Sequence, residues 1–225
     1  MNNEKLLLNH KIDVLDKGFV ILKDYMGSDL TPVNCARISF GKEKEVFDDK
    51  DELLIKYLAE HDHTSPFRHA QLQFHIKAPI FVFRQWMKYR IGSEFNEISG
   101  RYVEFKEDDS YFPDIFRLQS KDNKQASEGQ IEHQDRADHV FRQAVHNSVS
   151  QYKQLIAMGV CREQARCVLP LGLYSEVYWT CSLQAACHMI SQRTEPHAQW
   201  EIQQYAHAVK SIVEQIFPVS SKYIL

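Results

Sequence analysis

The sequence RQWMKYRIGSEFNEISGRY, from Arg84 to Tyr102, decides how the rest of this chain is interpreted. It predicts a helix end that carries Arg84, Lys88 and Arg90, followed by a loop. Residues four apart on a helix share one face, so like charges there cost stability unless an anion neutralises them. The loop is predicted to present polar side chains, namely Ser93, Glu94, Asn96, Glu97, Ser99 and Arg101.

This mixture of side chains suits a ligand that carries both a phosphate and a polar heterocycle. Guanidinium and ammonium groups bind phosphate, whereas amide, hydroxyl and carboxylate groups pair with the edges of a ring. Gly92 and Gly100 permit backbone angles that other residues rarely adopt. The alternative is a solvated basic helix end followed by a surface loop, since many charge clusters have no role beyond the surface. Residue types alone leave both interpretations open.

The composition is that of an ordinary globular protein. The chain has 225 residues, of which 44% are hydrophobic and 25% charged, and its net charge is −3. That charge argues against a dedicated nucleic-acid binder, so the basic stretch stands out locally. Because no run of about eighteen apolar residues occurs, no membrane span is predicted. The apolar run near the start is too short for a secretory signal, which predicts a cytoplasmic protein.

Cysteine and histidine usage predicts neither a disulfide framework nor a metal site. The number of cysteines is odd and no Cys-x-x-Cys pair occurs, so reduced, buried cysteines are expected. The histidines between 61 and 75 match no zinc or iron pattern. The cysteines are Cys35, Cys161, Cys167, Cys181 and Cys187, and the histidines are His61, His63, His69 and His75.

Alternating apolar and polar residues predict strands, and apolar residues three and four apart predict helices. A hairpin is expected over 11–26, with further strands over 70–77 and 173–180. In the helix that ends near Glu60, helical spacing predicts one shared face for Leu54, Tyr57, Leu58 and His61. Helices are predicted from Ser28 or Asp29 to Ala36, in the stretch that ends near Glu60, after a capped start at Thr64–Phe67, and from Pro79. Further helices are predicted over 131–158, over 162–168, from Ser182 to Gln192, and from Thr194 and Pro196 onward.

These elements predict an α+β fold, with long helices packed on a small, mostly antiparallel sheet. The polar segment at about 104–130 is interpreted as an inserted flap or mobile loop in a single domain spanning 1–225. No Gly-x-Gly occurs among the eight glycines. This excludes a dinucleotide-binding fingerprint, so side chains would have to hold any nucleotide.

Separated motifs along the chain point to one family. The stretch reads Lys88-Tyr89-Arg90, then eight residues, then Ser99-Gly100-Arg101-Tyr102. This resembles the Arg-His-Arg signature of the flavin-dependent thymidylate synthases, which continues after about seven or eight residues as Ser-Gly-Arg-Tyr. The resemblance extends over 11–217. Its other motifs are APIFV at 78–82, RQW at 84–86, NE at 96–97, AR at 165–166, VLPL at 168–171 and HAQWEIQQYA at 197–206.

The resemblance implies an enzyme that methylates dUMP to dTMP. It implies FAD as cofactor, methylenetetrahydrofolate and NADPH as co-substrates, no enzyme nucleophile, and a homotetramer with shared active sites. Arg193 is implied as the catalytic residue that favours the ionised uracil. Implied dUMP-binding residues are Gln85, Lys88, Glu97, Ser99, Gly100, Arg101, Arg166 and Arg193. Implied FAD-binding residues are Ser65, Lys88, Tyr89, Arg90, Glu97, Ser182 and His188.

The chain departs from the family pattern at several of these positions. Lys88 replaces an arginine and loses its planar fork, and Tyr89 replaces a histidine and loses a group that titrates near neutrality. Ser182 and His188 stand where relatives carry asparagine, and Gln184 where they carry arginine. Two alternatives therefore stay open: a relative with a changed pyrimidine nucleotide substrate, and a non-catalytic nucleotide- or RNA-binding module.

Overall fold

A five-stranded antiparallel sheet forms the centre of the computed structural model, which describes residues 7–225. The strand order is β1-β2-β3-β7-β4. The predicted hairpin, the strand after Ala70 and the strand after Leu173 are all confirmed. The strands are β1 (Lys11–Val14), β2 (Gly18–Met26), β3 (Gln71–Pro79), β4 (Ser93–Glu97) and β7 (Tyr174–Ser182), while β5 (Leu118–Gln119) and β6 (Ser127–Glu128) pair separately.

Alternation on the two central strands builds the core. Phe74 of β3 lies opposite Trp179 of β7, and their stacked rings have centroids 5.4 Å apart. Because successive side chains of a strand point to opposite faces, Leu72 and Ile76 join Phe74 on the buried face. Trp86 packs edge-on against Trp179 at 5.2 Å. The buried face of the sheet therefore anchors the segment that enters the basic stretch.

Helices cover this face and confirm the α+β class. Ser182 caps α6 by accepting a hydrogen bond from the backbone N–H of Ala185 at 3.2 Å, as the sequence predicts. Ile202 and Tyr205 lie on the buried face of α7. The helices are α1 (Leu30–Arg37), α2 (Asp49–Glu60), α3 (Ile80–Trp86), α4 (Gln134–Ala157), α5 (Arg162–Ala165), α6 (Leu183–Arg193), α7 (Trp200–Ile216) and α8 (Pro218–Ile224). Across residues 7–225 no helix is long and apolar enough to cross a membrane.

Two predictions for the basic stretch are wrong. The first is the loop over 93–97, which is instead the edge strand β4, paired with β7. Phe95 is the one large apolar side chain in this strand, so its alternation is not visible in the sequence. An edge strand pairs on one side only and accepts polar residues readily. The second is the helix end that carries the cations: α3 ends at Trp86, so Lys88 and Arg90 lie in the turn that leads to β4 rather than on the helix.

Four smaller predictions are also wrong. The last long helix starts at Trp200, because the hydroxyl of Thr194 donates to the carbonyl of Ile190 and closes α6 instead. Ser65–Arg68 is a single 3-10 turn without a side-chain cap. Tyr57 is 50% exposed, because α2 turns Ile55 and Leu58 inward. Cys161 and Cys167 are exposed rather than buried, since they flank the short helix α5 at the surface.

The segment 104–130 is anchored to the body of the protein at several points. Tyr111 is buried, and its backbone N–H donates to the carbonyl of Gly172 at 2.8 Å. Arg117 forms an ion pair with the buried carboxylate of Glu201 at 2.7 Å. Lys17 donates to the carbonyl oxygens of Asp108 and Ser110. These contacts seat the segment beside the start of α7.

Candidate functional site

Cations without carboxylate partners are the first feature of the site. Among the residues that the structure describes, no Asp or Glu lies within ion-pair distance of the six cations named at the end of this paragraph. All are exposed except Arg193, which is partly buried. Like charges that no described carboxylate neutralises favour an anionic ligand. We call them the unpaired cations: Arg84, Lys88, Arg90, Arg101, Arg166 and Arg193.

A cavity of about 280 Å³ lies between the end of β4 and the turn after α5. Glu97, Gly100, Arg166 and Ser175 contribute its polar lining, and apolar side chains such as Leu173 complete it. The Ser175 hydroxyl donates to a carboxylate oxygen of Glu97 at 2.6 Å and so orients it. This arrangement, named the Arg166 cavity here, sets one cation against one anchored carboxylate.

Gly100 permits the close approach on which this cavity depends. A methyl group at its Cα would lie 2.7 Å from the ring of Phe105 and 3.3 Å from Cδ of Arg166. Contacts this short force the neighbours to move. A side chain at position 100 would therefore push the Phe105 ring aside and shift the Arg166 side chain slightly.

A second group of predicted residues meets at the end of α6. The guanidinium carbon of Arg193 lies 5.4 Å from the centroid of the Tyr89 ring, within the range of a cation–π contact. The ring of His188 packs edge-on against Tyr89 at 5.5 Å. Nε of Arg193 is buried and has no hydrogen-bond partner within the described chain. Tyr89, His188 and Arg193 form what we call the Arg193 cluster.

The Arg166 cavity and the Arg193 cluster share no residue: Glu97 at the end of β4 lines the cavity, whereas Tyr89 of the cluster precedes the start of β4 in the chain. Ser93 pairs with Cys181 at one end, and Glu97 pairs with Val177 at the other. At the usual rise of a strand these ends are roughly 13 Å apart. Within one chain, the predicted residues therefore gather into two groups rather than one.

Gln85 belongs to neither group but takes part in a chain of hydrogen bonds. Its Nε2 donates to Oε1 of Gln199 at 2.8 Å. Nε2 of Gln199 donates to Oε2 of Glu201 at 2.9 Å. The other carboxylate oxygen of Glu201 accepts from Arg117 at 2.7 Å and from the hydroxyl of Tyr111 at 3.3 Å. Burial raises the pKa of Tyr111, so its hydroxyl keeps its proton and acts as a donor.

The remaining predicted residues are placed as follows. Arg101 faces a different cavity, of about 500 Å³, bordered by the chain from 159 to 163. The hydroxyl oxygen of Ser99 accepts from the backbone N–H of Arg101 at 3.3 Å, which orders the loop. Ser65, Lys88 and Arg90 are exposed at the surface. Ser182 is 2% exposed and serves as the cap of α6.

Sequence reasoning missed Ser175, Gln199, Glu201 and Cys167, which lines the Arg166 cavity. Ser175 is a small, uncharged residue near the start of a strand, so no charge or motif pointed to it. Glu201 did leave a signal, because a carboxylate beside Ile202 on the buried face of a helix requires a partner. That partner, Arg117, lies in the segment interpreted as a flap.

Among residues 7–225 no group of three or more His, Cys, Asp or Glu side chains is arranged to hold a metal ion.

Fold and site together define an α+β protein with a cavity lined by one unpaired cation, Arg166, and one anchored carboxylate, Glu97. The sequence profile described as thymidylate synthase complementing protein matches residues 21–219. The flavin-dependent thymidylate synthase of Thermus thermophilus is 47% identical over 209 residues, covering 93% of this chain and 76% of the relative. That of Thermosipho africanus is 44% identical over 207 residues, covering 91% of this chain and 90% of the relative.

A solved structure agrees with these relatives. The crystal structure of a UMP/dUMP methylase, PolB from Streptomyces cacaoi bound with 5-Br dUMP, superposes with a TM-score of 0.84 at 32% identity, covering 94% of this chain and 96% of that one. The form bound with 5-Br UMP gives a TM-score of 0.81 at 31% identity. The chain belongs to the family of flavin-dependent thymidylate synthases.

Proposed function

We propose that the protein is a flavin-dependent thymidylate synthase that converts dUMP to dTMP. The observation that carries the proposal is the Arg166 cavity, in which Arg166 has no carboxylate partner among the described residues while Glu97 is held by Ser175. Family membership supplies the reaction class. The reaction transfers the methylene group of methylenetetrahydrofolate to uracil C5, breaking its two bonds to folate nitrogens and leaving tetrahydrofolate. NADPH supplies a hydride equivalent, which completes the methyl group, and becomes NADP⁺. The C5 hydrogen leaves as a proton, and two protons from solvent complete the folate nitrogens.

Within this proposal Arg166 binds the negatively charged end of the nucleotide. A guanidinium matches phosphate through two parallel hydrogen bonds, and the small opening at Gly100 lets it approach. Glu97 is an acceptor for a ligand N–H or O–H. Gln85, Lys88, Ser99 and Arg101 complete the proposed nucleotide-binding set.

Arg193 is proposed to stabilise negative charge on the uracil ring. Its buried Nε has a hydrogen to donate and no acceptor within the described chain. A fixed cation beside an ionising ring N–H lowers the pKa of that N–H, at about 1.4 kcal/mol for each unit. Stabilising charge that develops in the reaction is usually the largest contribution to catalysis.

The residues proposed for FAD fit an anionic aromatic ligand. Lys88 and Arg90 are exposed cations without carboxylate partners in the described chain, which suits a pyrophosphate. Tyr89 and His188 add aromatic surface beside them. Ser65 and Glu97 are exposed, and Ser182 can still donate its hydroxyl hydrogen. A bound flavin supplies the reducing equivalents.

The site is proposed to be completed by other copies of the chain in a homotetramer. Two observations support this: the division of the predicted residues into two separate groups, and exposed apolar side chains near the basic stretch. Ile91 is 84% exposed and Tyr102 is 74% exposed. Large exposed apolar side chains close to a site are typical of surfaces that a partner covers. The cytoplasm is the proposed location.

The test is whether purified protein carries a flavin and releases tritium from dUMP labelled at C5. Release is expected only when NADPH and methylenetetrahydrofolate are both present. Omitting each in turn is the control. A colourless protein that takes up no added FAD would refute the proposal, and so would tritium release without a reductant.

Because the superposed PolB structures are described as a UMP/dUMP methylase, UMP is a second candidate substrate. The same assay with C5-labelled UMP separates the two. A rate with UMP that exceeds the rate with dUMP would favour the changed-substrate alternative.

A further inference from the structure

The chain of hydrogen bonds from segment 104–130 to Gln85 has a defined polarity. The carboxylate of Glu201 has acceptors only, so Gln199 must turn its N–H₂ group toward it. Gln199 then presents its carbonyl oxygen to Gln85, which must answer with its own N–H₂ group. The carbonyl oxygen of Gln85 is thereby left free to accept a hydrogen bond.

Burial and an ion pair hold the Glu201 carboxylate in place as the hydrogen-bond acceptor for Gln199. Its side chain is 5% exposed, and the Arg117 guanidinium neutralises it at 2.7 Å. Arg117 is itself held by the Ser127 hydroxyl at 2.9 Å and lies 5.2 Å from the centroid of the Trp200 ring. Because a carboxylate only accepts hydrogen bonds, the orientations of the Gln199 and Gln85 amides follow from it.

We propose that Arg117, Glu201 and Gln199 act as positioning residues that fix the amide of Gln85 with its carbonyl oxygen toward the nucleotide. The ligand group that this recognises is an N–H or O–H donor of a pyrimidine nucleotide. The inference rests on the proposed function, because it takes Gln85 as a dUMP-binding residue. It gives the 104–130 segment a role in nucleotide affinity without any contact with the nucleotide.

The experiment is a set of dUMP titrations by calorimetry on the flavin-loaded protein. Gln85→Leu removes one hydrogen bond and is expected to raise the Kd for dUMP about 5-fold. Glu201→Gln keeps the shape but allows an N–H₂ group to face Gln199, which reverses both amides, so a rise of about 3- to 5-fold is expected. In the Gln85→Leu background, Glu201→Gln should add nothing, because its effect passes through Gln85. If Glu201→Gln fails to fold, Gln199→Leu interrupts the same series of hydrogen bonds at a more exposed residue.

Arg37→Met is the matched control for Arg117→Met. Arg37 also pairs with a buried carboxylate, that of Asp51, at 2.6 Å, but it is not connected to Gln85. Both variants should lower the thermal midpoint, and only Arg117→Met should raise the Kd for dUMP. Arg117→Lys should raise that Kd less than Arg117→Met does. Flavin content should not change in any of them.

Two results would overturn the inference and are distinguishable. If Gln85→Leu raises the Kd while Glu201→Gln and Gln199→Leu do not, the positioning role is wrong and Gln85 still binds dUMP. If Gln85→Leu has no effect, its assignment as a dUMP-binding residue is wrong and the inference falls with it.

Discussion

Arg193 has a structural contact in addition to the chemical role proposed for it. Its guanidinium packs over Tyr89, which stands where the family signature has histidine. An aromatic ring at this position keeps a flat surface for the guanidinium but gives up a titratable group. Tyr89 therefore supports the guanidinium of Arg193 but offers no group that titrates near neutrality beside it.

Replacing Arg193 separates turnover from flavin binding. Arg193→Ala should lower kcat on the order of 100-fold, because it removes a fixed charge near the reacting ring, and should leave the flavin absorbance unchanged. Arg90→Ala should instead lower the flavin content of the purified protein. Arg193→Lys keeps the charge but not the planar guanidinium, so its kcat should lie between those of the wild type and Arg193→Ala. Equal loss of flavin from both alanine variants would contradict the division of roles.

The cysteines differ in reactivity because their surroundings differ. Burial raises the pKa of Cys181 and Cys187, so neither should react with a thiol reagent in the folded protein. Cys161 and Cys167 are exposed and should react. In a Cys161→Ser variant, dUMP should slow the modification of Cys167, which lines the Arg166 cavity. Modification that dUMP does not slow would mean that the nucleotide leaves this cavity open.

At the scale of elements, contacts distant in sequence hold the helices in place. Asp29 precedes α1, yet its carboxylate accepts from the backbone N–H groups of Val219 and Ser220 at 2.9 and 2.7 Å and caps α8. Glu52 of α2 accepts from Lys222 and the hydroxyl of Tyr223, both at 2.8 Å. The first and last parts of the described chain are thus joined through α8.

The contact between α2 and α8 should depend on pH. The hydrogen bonds from Lys222 and then Tyr223 lower the pKa of Glu52 below its ordinary value of 4.5. A lowered pKa in the folded state means that the stabilisation is complete above the unfolded pKa and is lost as the pH falls through the folded one. Glu52→Gln should therefore lower the thermal midpoint at pH 7, and the difference from wild type should shrink as the pH falls below 4.5.

Glu60→Gln is the control for this pH dependence. Glu60 is also in α2, but it is 58% exposed and pairs with Lys56 at 3.7 Å. Isolated surface pairs of this kind contribute little to stability. A pH-independent difference for Glu52→Gln, or an equal one for Glu60→Gln, would contradict the prediction, and circular dichroism melts at several pH values measure both.

At the scale of the whole molecule, the distance between Arg166 and Arg193 has a functional consequence. They belong to separate groups, and in the proposed homotetramer we expect a bound dUMP to take one of them from each of two copies of the chain. In closed symmetric oligomers, residues from neighbouring subunits can build one site repeatedly. The proposed homotetramer therefore predicts that no single chain holds a full set of nucleotide ligands.

Mixing two impaired variants tests this directly. Arg166→Ala and Arg193→Ala should each have only a small residual activity alone, and co-refolding the two should restore part of the wild-type activity, because some sites then receive both intact arginines. The double variant Arg166→Ala/Arg193→Ala mixed with itself is the control and should show no such recovery. Light scattering gives the mass of the mixed species. No recovery in mixed tetramers would place both arginines in one chain's site.

Hydrophobic periodicity determined much of the fold. The β1–β2 hairpin, β3, β7 and the buried faces of α6 and α7 follow from patterns of period two or near four, because burying one face requires them. β4 could not be recognised, since an edge strand with one apolar residue has no such pattern. The start of α7 was misjudged because Thr194 resembles an N-cap locally but bonds backward to Ile190.

The sequence by itself determined the chemical types at the site and the order of the family motifs, because charge, aromaticity and spacing are properties of the chain. Tertiary structure alone decided which of these residues meet. Antiparallel pairing of β4 with β7 brought Ser175 to Glu97, and the seating of 104–130 beside α7 brought Arg117 to Glu201. Such contacts join residues about eighty positions apart, and they form only when the sheet and the helices pack, since no local pattern encodes them.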